Sequence, residues 1–176
     1  MDSKKLVMKA YIIIFMALMT SIGISSCEAK PSKDALPTEK MQKSLGDSIT
    51  KVIMNAKNIT VELQGASQTD SVVTNAKLTK KQCYVMRFMI TNEKNCESND
   101  TVYGKLMPNA IYKFNYKKQN VFVAVDFGLR KWQIHDESGK PLIQFDLKDE
   151  GLLYLTHLVF PENGMINYYY ENKEKK

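Results

Sequence analysis

The sequence predicts an α+β domain in which N-terminal helices pack on a C-terminal antiparallel β-meander of six to seven strands, a sheet or partly open barrel. Three observations predict it. Apolar residues recur at helical spacing in the first half, strand-like runs alternate from Thr101 onward, and turn residues separate those runs at short intervals. Short connections between neighbouring runs imply antiparallel pairing.

Leu45, Ile49, Val52, Ile53 and Ala56 recur as one face of a helix over 39–57, with Gly46 weakening its middle. Residues 59–63 alternate as a short strand, and 65–75, rich in Ser, Thr, Gln and Asp, read as a loop. Thr79-Lys80-Lys81-Gln82 matches a capping box, in which the threonine hydroxyl accepts from a backbone N–H and the glutamine reaches back. The helix it starts, over 80–91, places Cys83, Met86 and Ile90 on one face with Val85 and Met89 alongside. A strand over 83–91 competes, and the cap decides for helix. A polar loop runs from Asn92 to Asp100.

Strands are then predicted near 101–107, 110–117, 120–127, 130–135, 141–147, 152–160 and 165–171. Asn163-Gly164 is the signature of a type I′ hairpin, while Gly139 and Gly151 stand where a turn favours positive φ.

The first 26 residues carry the parts of an export signal: Lys4, Lys5 and Lys9, an apolar run over 11–19, then small residues from Ser21 to Ser26. The run is short for a bilayer span, which needs about 20 apolar residues. Ile24-Ser25-Ser26-Cys27 resembles the lipobox of bacterial lipoproteins. That resemblance covers residues 1–27 and implies cleavage before Cys27, with diacylglycerol on its thiol. It also implies anchoring at the outer membrane, since Glu28 replaces the aspartate that retains such proteins at the inner membrane. The small size, signal and β-rich body resemble small envelope lipoproteins of Bacteroidota. The expected organisation is a signal peptide over 1–26, a lipidated tether over 27–40, one α+β domain over 41–172 and a frayed tail over 173–176.

The formal net charge is +6, and three lysines and one aspartate precede Cys27, which leaves +4 behind the signal. That charge is dispersed, with Lys-Lys pairs at 80–81, 117–118 and 175–176 and no interleaved basic and aromatic patch, so nucleic acid is not an expected partner. With Cys27 acylated, Cys83 and Cys96 remain as a candidate disulfide in an oxidising compartment, worth roughly 3 kcal/mol. Two free thiols, one buried and one in a loop, are the alternative.

Motifs for catalysis are sparse. Asp126-Phe127-Gly128 resembles the magnesium-binding triplet of protein kinases, but no glycine-rich phosphate loop, partner lysine strand or catalytic His-Arg-Asp accompanies it, so a tight turn is expected. His135 and His157 are the only histidines and lack metal-ligand spacing, and no GxSxG or CxxC occurs. No cofactor or metal is expected. Tyr112, Phe114 and Tyr116 alternate on one strand face and Trp132 follows, so most of these rings belong in a core and the rest are candidate ligand-facing aromatics. Lipocalin-like domains carry Gly-x-Trp near the start of the barrel, whereas Gly128 and Trp132 here are mid-chain and further apart. Asp47-Ser48, Asp70-Ser71 and Asp100-Thr101, each followed by an aliphatic residue, resemble O-glycosylation sites of exported Bacteroidota proteins at Ser48, Ser71 and Thr101. Turn and cap chemistry explains the same pairs.

The sequence therefore favours a non-enzymatic envelope lipoprotein that binds a protein or small apolar ligand, held to the membrane by lipid on Cys27. A lipocalin-like carrier of an apolar ligand is the first alternative and an envelope hydrolase the second.

Overall fold

Thr38 is followed by good helix formers at every position to Leu45 except Ser44, and its hydroxyl accepts from Met41 N–H at 3.4 Å to start α1 (Glu39–Leu45). The helix ends at Gly46, whose φ of 75° and ψ of 159° lie in a region essentially restricted to glycine. A new helix, α2 (Asp47–Asn55), starts directly after it. One helix predicted over 39–57 is thus two, because Gly46 turns the chain while Leu45 and Ile53 both stay buried. The structure, a computed structural model, describes residues 37–64, 74–99 and 106–173.

The strand predicted over 59–63 is β1 (Asn58–Leu63), with Ile59, Val61 and Leu63 turned inward. A short β2 (Asn75–Lys77) lies beside it. The capping box forms as predicted: Gln82 N–H donates to Thr79 Oγ1 at 3.3 Å and Thr79 N–H donates to Gln82 Oε1 at 2.9 Å. It opens α3 (Lys80–Thr91), which buries Cys83, Met86, Met89 and Ile90 and leaves Val85 exposed.

Then come β3 (Cys96–Asn99), β4 (Ala110–Tyr116), β5 (Gln119–Asp126), β6 (Lys131–His135) and β7 (Pro141–Leu147). All seven strands form one antiparallel sheet in the order β2-β1-β4-β5-β6-β7-β3. The first and last members are free edges, so the sheet stays open rather than closing into a barrel. The predicted meander survives as β4 to β7. The β5–β6 turn is the Asp126-Phe127-Gly128 segment: Asp126 Oδ1 accepts from Leu129 N–H at 2.8 Å, and Arg130 takes the positive φ.

Three predicted strands are corrected. Of 101–107, residues 101–105 lie outside the described residues, and Leu106 and Met107 are not in a strand. Residues 152–160 and 165–171 are helical, forming α4 (Gly151–Val159) and α5 (Gly164–Glu171). An unbroken apolar run from Leu152 to Leu155 fits a buried helix as well as a buried strand, and periodicity alone does not separate them. Asn163-Gly164, predicted as a hairpin turn, instead caps α5: Asn163 Oδ1 accepts from Ile166 N–H at 3.1 Å. Asparagine serves both purposes because its short side chain reaches nearby backbone N–H groups. Conversely, β3 hides in a polar stretch because an edge strand needs little apolar alternation.

The helices cover the sheet face that carries Val61, Tyr112, Phe114, Val123, Val125, Trp132, Ile134 and Phe145. Trp132 and Phe145 are cross-strand partners whose rings stack at 4.1 Å and 13°. Tyr112 is fully buried on β4, and its hydroxyl meets Thr156 Oγ1 at 2.6 Å. Thr156 Oγ1 also donates to Leu152 O at 2.6 Å, so Tyr112 is the donor to Thr156. Burial pushes the Tyr112 phenol well above its ordinary value, with the Thr156 hydrogen bond opposing.

Tyr112→Phe removes a donor while Thr156 keeps its carbonyl partner, which is expected to cost about 1 kcal/mol. Thr156→Val strands a buried phenol and is expected to cost about 1–3 kcal/mol. Urea unfolding of the two variants checks that order; a costlier Tyr112→Phe contradicts the assigned direction of the bond.

Candidate functional site

The aromatics that the sequence offered as ligand-facing are structural. Tyr112, Phe114 and Trp132 are completely buried against the helical layer, and half-buried Tyr116 packs on the same cluster. Strand alternation sends Tyr112, Phe114 and Tyr116 to one face, and that face is the covered one. A carrier of apolar ligands needs space among these rings, whereas here they pack on each other in an open sheet.

The two thiols do not pair. Cys83 Sγ donates to Leu78 O at 3.7 Å, while Cys96 Sγ lies 3.7 Å from Met41 Sδ and 3.6 Å from Asn92 O. Both are buried, so the loop position expected for Cys96 is corrected: it opens β3 with its side chain in the core. Burial pushes the Cys96 thiol up to about 12; Lys148 pulls it down and Asp149 pushes it further up.

His135 and His157 have different neighbours. His135 is buried on β6, its Nε2 2.9 Å from Gln133 Oε1. His157 sits in the last turn of α4, not in a strand, and its ring stacks on Tyr170 at 4.0 Å and 10°. Among the described residues, no group of three or more His, Cys, Asp or Glu is placed to hold a metal ion. Ser48 is exposed in the first turn of α2. Cys27, Ser71 and Thr101 lie outside the described residues.

Two features escaped the sequence. The first is a polar row on the sheet face opposite the helices. Ala124, Gln133 and Gln144 are in register on β5, β6 and β7, and all are fully buried. Gln133 Nε2 donates to Gln144 Oε1 at 2.9 Å, and Gln133 Oε1 accepts from Leu106 N–H at 3.2 Å. The chain at Leu106 therefore lies over this face, and the amides satisfy its backbone. Alternation marks Gln133 and Gln144 as outward-facing, and the chain at Leu106, invisible in strand periodicity, lies over them.

The second is a surface made by α4, α5 and the β5–β6 turn. Arg130, Lys148, Glu150, Tyr154, Tyr170 and Lys173 line an open cleft of about 550 Å³. Arg130 pairs with Glu150 at 3.1 Å, and Lys173 Nζ stands 3.9 Å from the centre of the Tyr170 ring. Tyr168 and Tyr169 border the adjoining hollow beside Phe127. Four of the eight exposed large hydrophobics among the described residues fall on these elements: Leu129, Tyr154, Leu158 and Tyr168. Read as strands, 152–160 and 165–171 would have sent these rings alternately to two faces. As helices they put Tyr154 and Leu158, four residues apart, on one. Gly151 is a point of close approach, since a Cβ there would stand 2.0 Å from Met89 Cε of α3 and would displace the end of that side chain.

Thiol titration checks the buried cysteines. At pH 8 the Cys96 thiol, raised to about 12, is ionised in roughly one molecule in ten thousand, and Cys83 is shielded by burial, so native Cys27→Ala protein is expected to leave both unreacted. Unfolding without reductant is expected to release both. Failure to release them indicates a disulfide and contradicts the structure.

No protein-family model matches this chain, and no curated protein or solved structure does either, so its own residues carry the functional reading.

Proposed function

We propose that the chain is a lipid-anchored module of the cell envelope, acylated on Cys27, held at the outer membrane and acting by contact rather than catalysis. The anchor is supported by the order of Lys4, Lys5 and Lys9, the apolar run, the small residues and Ile24-Ser25-Ser26-Cys27. Each CH₂ of an acyl chain buried in the bilayer adds about 0.8 kcal/mol, so the lipids on this cysteine hold far more firmly than one myristate.

The observation that carries the contact reading is the surface of α4 and α5. Exposed Tyr154 lines the open cleft with Arg130 and Lys173, exposed Tyr168 lines the adjoining hollow with the same two cations, and exposed Leu158 lies one helical turn beyond Tyr154. Rings with a polar tip and cations with apolar stems suit an extended, partly wet contact.

Palmitate labelling and fractionation test the anchor. Cys27→Ala is expected to lose the label and to leave the membrane fraction; continued acylation of that variant overturns the reading.

A further inference from the structure

The place where the tether joins the domain is defined. Thr38 N–H donates to Thr91 O at 3.0 Å, which fixes the start of α1 against the last residue of α3. From there the structure leads directly to the aromatic surface. Lys148 Nζ donates to Glu93 O at 3.3 Å and Lys148 N–H donates to Asn95 O at 2.9 Å, so the chain after α3 is bound to a residue that lines the cleft. Met89, two residues before Thr91, packs against Gly151 at the start of α4.

Ten residues lie between Cys27 and Thr38, eleven steps along the chain. Fully extended, they reach at most about 40 Å. A lipid on Cys27 thus keeps Thr38 within that distance of the bilayer, with the cleft joined to it through α3 and Lys148. A short tether raises the effective concentration of the surface to the point where a contact too weak to hold a free domain is populated.

The residue types on this surface suit a lipid interface. Tyrosine concentrates at the headgroup level of membranes because its ring is apolar and its hydroxyl is wet. Arg130, paired with Glu150, and Lys148, paired with Glu97, stand at the rim beside Asp149, and Lys173 extends over the Tyr170 ring. Lys173, whose Nζ stands over the Tyr170 ring, has a stem long enough to reach phosphate oxygens. Leu129 adds an aliphatic tip in the β5–β6 turn, whose Gly128 lies against Tyr169 of α5.

We propose that the face formed by Leu129, Tyr154, Leu158 and Tyr168, rimmed by Arg130 and Lys173, docks the domain on the headgroup layer of the membrane that anchors it. This rests on the tether reading and names the partner of the contact surface. The opposite sheet face, which carries exposed Lys113, then points away from the bilayer.

The test supplies the tether artificially, so that it does not depend on natural acylation. The mature chain from residue 27, with Cys27→Ala and a hexahistidine at its start, is bound to phosphatidylcholine–phosphatidylglycerol vesicles containing nickel-chelating lipid. Leu158→Cys or Lys113→Cys carries a nitrobenzoxadiazole label, with Cys83 and Cys96 buried and unlabelled. Doxyl-labelled phospholipid is expected to quench the label at Leu158 about threefold more than that at Lys113, because interfacial groups sit some 5–10 Å into the headgroup region. Tyr154→Ser with Tyr168→Ser is expected to abolish the difference while the domain stays folded by circular dichroism. Equal quenching at the two positions, or a difference that survives the paired serines, overturns the proposal. Palmitate labelling of the native chain reports separately on Cys27, so loss of the anchor and loss of docking are distinguishable.

Discussion

The hydroxyl of Thr156 stands between two partners inside the protein, donating to Leu152 O of its own helix and accepting from the fully buried Tyr112 of β4. The placement of the C-terminal half follows from this junction. A phenol at zero exposure without a partner would be strongly destabilising, so α4 is held at the one height and rotation that brings Thr156 over β4. With α4 seated, Leu152, Leu153 and Leu155 fill the space over the sheet, and Tyr154 and Leu158 are left outside. The neighbouring α5 packs on α4 through the His157–Tyr170 stack and buries Ile166. One polar contact in the core thereby decides which rings become surface.

Much of the architecture was legible in the sequence. The alternation of Ile59, Val61 and Leu63, the Thr79–Gln82 capping box and the four runs of the meander all act locally, through side chains that speak for their own backbone. Gly46 was legible as a weakness but not as a break, because the angle between α1 and α2 is set by where Leu45 and Ile53 find the core. The failures share a cause. Residues 152–160 and 165–171 are rich enough in Leu, Val and Tyr to favour a strand, and the first is a helix where Leu152, Leu153 and Leu155 pack over the sheet and Thr156 meets Tyr112. Cys96–Asn99 shows the reverse, a polar segment made a strand by the open edge of β7.

The sites were less legible than the fold. Tyr112, Phe114 and Trp132 look like a ligand wall in sequence because aromatic alternation is the same for a pocket and for a core; the helices placed over that face decide between them. Gln133 and Gln144 look like solvent-facing residues and are buried, because the chain at Leu106 crosses their face. The surface of α4 and α5 could not be seen until those segments were helical. Its Tyr154 and Leu158 share a face only at a period of 3.6 residues.

The central claim is that residues 151–159 are a helix clamped to β4 through Thr156, which leaves Tyr154 and Leu158 exposed. A nuclear Overhauser measurement between the Tyr112 ring protons and the Thr156 methyl tests it most directly, alongside the Cα shifts of residues 151–159. The account predicts a strong cross-peak and helical shifts throughout the segment. Strand-like shifts with no Tyr112–Thr156 cross-peak would contradict it, and the aromatic surface would dissolve with the helix.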